Sequence, residues 1–148
     1  HLNPESSMVV AYVMHPARAP ASDREYAERF APYRRMAGYI DGLHLPGGSV
    51  LTDVSFSFAL VLDSSDPGQF VITPDRRFQA ALADPPRFHV AYLLVPDPAQ
   101  APYDAVDLTY PSLYATGDGF ATLVRQFRNP DDPTYRLYLV TGSPPGAP

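Results

Sequence analysis

Three aspartates stand 22 residues apart, Asp53, Asp75 and Asp97, each closing a short apolar run: VLTD, VITPD and LLVPD. If those runs are parallel strands, all three carboxylates reach one sheet edge, where α/β folds bind ligands. Three carboxylates there would take a cation or the hydroxyls of a sugar. The competing reading is that Asp caps helices and solvates turns. Arg76 follows Asp75 and, beside backbone N–H groups, would suit a phosphate. A solvated arginine pair, Arg76-Arg77, is the plainer account. Tyr110-Pro-Ser-Leu-Tyr114 carries two phenols that could wall a sugar site. They could equally pack in a core with their hydroxyls bonded. Because the three aspartates would repel a free anion, a neutral glycan or a cation is expected before one.

Nothing else in the chain has the spacing of a catalytic group. There is no Cys, which excludes thiolate chemistry and Cys-ligated zinc. All 11 basic residues are Arg, which excludes a Schiff base and a P-loop lysine. His1, His15, His44 and His89 are scattered, with no H-x-x-x-H or H-E-x-x-H spacing. Ser49 follows Gly47-Gly48 in a turn and is not in G-x-S-x-G. Gly117-Asp-Gly119 lacks the third glycine of a dinucleotide fingerprint, and no D-x-D triplet occurs. No catalytic residue is assigned and no cofactor is expected; a metal is left open.

The elements that must position these residues follow from composition and periodicity. At 148 residues, 45% apolar and 18% charged, the chain has the makings of one globular domain. A net charge of −5, evenly spread, argues against nucleic acid. No apolar run is long enough to span a bilayer. The chain opens at His1 without a signal peptide, so a piece excised from a longer polypeptide is expected.

The expected organisation is an N-terminal segment, 1–21, with Met8–Met14 patterned as an edge strand; a single domain, 22–141; and a disordered Pro/Gly-rich tail, 142–148. Ser22-Asp-Arg-Glu25 reads as a capping box. The helix it opens carries Tyr26, Phe30, Tyr33, Ala37 and Ile40 at helical spacing, and Pro32 should kink or split it. Strands are expected at Val50–Asp53, Phe70–Thr73 and His89–Val95. Between the first two, residues 55–62 alternate like a strand, but the gap asks for a crossover, so a helix is favoured there. Thr73-Pro74 should begin another helix, with Thr as N-cap and Pro at its first position. Ala105–Tyr110 should be helical. Phe120–Arg128 and Thr134–Thr141 alternate and should form an antiparallel hairpin. The fold class is therefore α/β: a mostly parallel, mixed sheet with flanking helices in Rossmann-like layers and an antiparallel C-terminal hairpin.

Taken in order, LPGGSVLTD (45–53), QFVITPDRRF (69–78), VAYLLVPD (90–97), YPSLY (110–114) and YRLYLV (135–140) resemble the soluble C-terminal domain of actinobacterial polytopic membrane proteins. Those proteins are similar to membrane glycosyltransferases of the dolichyl-phosphate-mannose mannosyltransferase type. The resemblance spans about residues 22–141. It implies an extracytoplasmic domain following a bundle of transmembrane helices, in a parent that transfers sugar from a polyprenyl-phosphate donor. The family's catalytic acids lie in loops of its membrane portion, so none is carried over here. The implied role is a non-catalytic accessory domain that binds or orients a glycan or protein acceptor. Its implied partner is the membrane-embedded portion of the same polypeptide. The alternatives are a stand-alone or tethered extracellular ligand-binding module, and a small hydrolase using the Asp-lined edge.

Overall fold

The computed structural model describes residues 21–147. The Met8–Met14 segment lies outside them. The chain divides into two compact units, His1–Pro32 and Tyr33–Pro148.

In the first unit, the described part is the opening of helix α1, Ala21–Asp41. Tyr26 and Phe30, one turn apart, pack with their rings tilted by 47° and centroids 4.4 Å apart. The helix is already formed at Ala21; the Ser22 side chain of the expected capping box lies outside the described residues. The helix also runs unbroken through Pro32.

The second unit holds a five-stranded sheet. Its strands are β1 (Val50–Thr52), β2 (Phe70–Ile72), β3 (Tyr92–Pro96), β4 (Ala121–Phe127) and β5 (Tyr135–Val140), in the order β2-β1-β3-β5-β4. β1 lies parallel to both β2 and β3, with Leu51 opposite Val71 and Leu93. β5 is antiparallel to β3, and β4 to β5, which makes the expected hairpin. The α/β class with a mixed, mostly parallel sheet is thus the observed one.

Alternation along the strands sends neighbours to opposite faces. Leu51, Val71, Leu93, Val95 and Tyr138 form one core cluster with Phe78, Ala81 and Leu82 of α3 (Phe78–Ala83). Val106 of α4 (Ala105–Thr109) and Leu113 of α5 (Leu113–Thr116) join the same cluster. On the other face, Thr52 meets Ser57 of α2 (Val54–Asp63) hydroxyl to hydroxyl at 3.2 Å. Tyr33 of α1 packs edge-on to Tyr135 there, with centroids 6.5 Å apart. The two parallel crossovers, through α2 and α3, run in opposite directions across the sheet on opposite faces. A single handedness of connection requires that.

Residues 54–63 are helical despite their alternation. The buried residues are Ser57, Leu60 and Val61, at helical spacing, while Phe58 and Leu62 stand in solvent.

Two expected boundaries are corrected. The helix after β2 begins at Phe78, not Thr73, and residues 73–77 are turn. Thr73 cannot cap its own chain because its hydroxyl donates to Asp53 and accepts from Val54 N–H. Asp75 shapes the turn instead: its N–H donates to Ile72 carbonyl at 2.8 Å, and its carboxylate accepts from Arg77 N–H at 2.9 Å. The third strand begins at Tyr92, not His89. His89 adopts a left-handed φ of 61° where it ends the 3₁₀ turn Pro86–Phe88.

Candidate functional site

The carboxyl ends of β1, β2 and β3 share one edge, and the strand order reverses about β1. Such a reversal opens a crevice in many α/β folds. Here Asp53 closes it. Oδ1 accepts from Ser55 N–H at 2.9 Å, the Ser55 hydroxyl at 2.8 Å and the Thr73 hydroxyl at 3.0 Å. Oδ2 accepts from Ala105 N–H at 2.8 Å. One carboxylate therefore caps α2 and ties together the loops that follow all three parallel strands. Burial pushes its pKa up, but the hydrogen bonds from Ala105, Ser55 and Thr73 outweigh burial and hold it below the usual carboxylate value.

Beneath this knot lie two more buried acids. Asp104 caps α4, with Oδ1 accepting from Val106 N–H at 2.9 Å and Asp107 N–H at 3.1 Å. Asp107 is 5% exposed, and neither of its carboxylate oxygens has a protein donor. Burial raises Asp104 to about 7, with the charge of Asp53 adding to it against the two N–H bonds. Burial also raises Asp107 to about 7, reinforced by Asp104 and then Asp97. Among the described residues, no three His, Cys, Asp or Glu side chains converge as a metal-binding group.

An accessible cleft lies further along the same edge, where β3 meets the hairpin. An open cleft of about 560 Å³ is formed there, within the size range of small-ligand sites. Asp97, just past β3, lines one side, and Tyr114 of α5 another. Gln126 and Arg128 from β4 and its end, and Thr134 and Arg136 from the start of β5, line the hairpin side. Asn129 and Pro130 form the rest of the wall from the hairpin loop.

Several of these groups are held rigidly. Arg136 lies over the Tyr114 ring, Cζ 4.3 Å from its centroid. Its Nη1 donates to Tyr114 carbonyl at 2.6 Å and its Nε to Gln126 Oε1 at 2.8 Å. The Tyr138 hydroxyl donates to the same Tyr114 carbonyl at 2.6 Å. Burial, then the charge of Asp97, raises the pKa of the Tyr114 phenol, so it stays protonated as a donor. Asn129 is 7% exposed, and its Nδ2 has no protein acceptor.

Of the residues singled out from sequence, the fold brings Asp97 and Tyr114 together at this cleft. Asp53 is buried and held by four hydrogen bonds. Asp75 forms an ion pair with Arg77 at 3.0 Å, and Arg76 is exposed beside it. Tyr110 is core: its hydroxyl donates to Leu82 carbonyl, and its ring packs on Phe120 with centroids 5.0 Å apart. Sequence reasoning missed Asn129, Arg128, Arg136 and Gln126. They sit on the hairpin, outside any βα unit, and have no motif. Asp104 and Asp107 were also missed, although an Asp directly before a helical run is a cap signal.

No helix among the described residues is long and apolar enough to cross a membrane. Comparison of the chain with protein-family models, with curated proteins and with solved structures gave no match.

Proposed function

We propose that this chain is a non-catalytic binding domain whose cleft beside Asp97 and Tyr114 holds a saccharide. The observation that carries the reading is the open cleft in which unspent polar groups, Gln126 Nε2 and one Asp97 carboxylate oxygen, stand beside the Tyr114 ring. The rest of the lining suits a sugar. Asp97, Gln126, Asn129 and Arg128 are planar polar groups for hydroxyls, and Tyr114 is aromatic.

The motif resemblance supports the wider setting: an extracytoplasmic accessory domain of a membrane glycosyltransferase, following its transmembrane helices and presenting a glycan acceptor. The test is saturation-transfer NMR of the chain against a panel of neutral and acidic oligosaccharides, followed by Asn129→Leu. Binding that the substitution abolishes supports the reading; a panel without a binder overturns it.

A hydrolase reading draws on Asp104 and Asp107, whose raised pKa values suit general acid–base work. Both are buried and outside the cleft lining, so it is secondary. Turnover of glycoside or phosphate ester that Asp107→Asn abolishes would favour it.

A further inference from the structure

The hydrogen-bonding balance of the cleft specifies its ligand more closely, on the footing of the saccharide reading above. Among the described residues, Arg128 makes no hydrogen bond or ion pair, and it is exposed at the cleft. Gln126 uses Oε1 to accept from Arg136, which leaves its Nε2 as a free donor. Asn129 uses Oδ1 to accept from Asp131 N–H at 3.3 Å, which leaves Nδ2 free. Arg136 has spent Nε and Nη1 and retains Nη2. Against these donors, Asp97 has one carboxylate oxygen engaged by Ala99 N–H at 2.9 Å and one unengaged. The cleft is rich in donors and poor in acceptors.

Its charge is equally specific. Two arginines and one aspartate line it, where the strand-end pattern in the sequence had suggested three aspartates and hence aversion to an anion. Asp53 and Asp75 are bound up elsewhere. One surplus positive charge matches a ligand with one negative charge.

We propose that the saccharide unit seated in this cleft carries a carboxylate, as a hexuronate does. Arg128 is its charge partner, with Gln126 Nε2 as a further unspent donor in the lining. A guanidinium fork matches a carboxylate in two parallel hydrogen bonds. Asp97 then takes ring hydroxyls as an acceptor.

The test is calorimetric titration of the full chain with a tetraglucuronate, a tetraglucose of the same linkage, and inorganic phosphate. Arg128→Gln is measured alongside, its fold checked by circular dichroism. The tetraglucuronate should bind at least tenfold more tightly than the neutral tetramer. Arg128→Gln should erase that preference, weakening the tetraglucuronate at least tenfold more than the neutral tetramer. Equal or stronger binding of the neutral tetramer overturns the carboxylate assignment and spares the saccharide reading. Phosphate binding more tightly than the tetraglucuronate, or a preference that survives in Arg128→Gln, also overturns the assignment. If neither sugar binds at millimolar concentration, both readings fall together.

Discussion

Asp53 at the end of β1 accepts the backbone N–H of Ala105, 52 residues later, at 2.8 Å. This bond closes the crevice between the first and third strands, which the topology would otherwise leave for a ligand. The same carboxylate caps α2 and accepts from Thr73, so it fixes three loops at once. A single side chain thereby moves the accessible site from the parallel strands to the junction of β3 and the hairpin.

Asp53→Ala should lower the unfolding free energy by about 2–4 kcal/mol, through the lost cap and the stranded N–H and hydroxyl donors. Urea denaturation at pH 7 measures this. Because Asp53 has a lowered pKa in the folded protein, its contribution is present above the unfolded value and lost as pH falls through the folded one. The difference between wild type and Asp53→Ala should therefore shrink below about pH 4. A loss under 0.5 kcal/mol at pH 7, roughly that of an ordinary surface change, would contradict the account of Asp53 as a tie.

Asp107 has the opposite sign. Its folded pKa of about 7 lies above the ordinary carboxylate value, so the folded state holds the proton more tightly. Stability from this group is full below pH 4 and lost as pH rises towards about 7. Asp107→Asn removes the ionisation and should stabilise the protein by on the order of 2 kcal/mol more at pH 8 than at pH 5. Denaturation curves at the two pH values decide it. An equal effect at both would show that Asp107 titrates normally.

Tyr110→Phe keeps the ring on Phe120 and deletes the hydroxyl that donates to Leu82 carbonyl. The expected loss is about 1–2 kcal/mol with no change in saccharide binding. Weakened binding in this variant, at unchanged stability, would put Tyr110 in the site instead of the core.

Phe58→Ser changes an aromatic residue that is 54% exposed on α2. Stability should move by no more than about 0.5 kcal/mol. A loss of several kcal/mol would mean that the outer face of α2 is packed.

The sheet and its hairpin were legible because β-branched and apolar runs between turn residues leave few alternatives. Residues 54–63 show where periodicity misleads. Val54, Phe56, Phe58, Leu60 and Leu62 alternate like a strand, yet only Leu60 of the five is buried. Thr73 shows a different limit. As a local cap it fits the rule, but a tertiary bond to Asp53 takes its hydroxyl and delays the helix to Phe78. The site was legible in part: Asp97 and Tyr114 were visible as a strand-end acid and an aromatic motif. Asn129 and Arg128 were not, because a hairpin loop's Asn and Arg are ordinary until the fold leaves one buried without an acceptor and the other unpaired.

The side-chain amide of Asn129 gives the most direct test of the cleft as a saccharide site. Its two Nδ2 protons are observable in a ¹⁵N–¹H correlation spectrum of the full chain. On titration with the best-binding oligosaccharide, that resonance should shift together with the backbone amides of Arg128, Thr134 and Arg136. Amides on the opposite edge of the sheet should stay in place. Shifts confined to that opposite edge, or an Asn129 amide unmoved at saturation, would contradict the account.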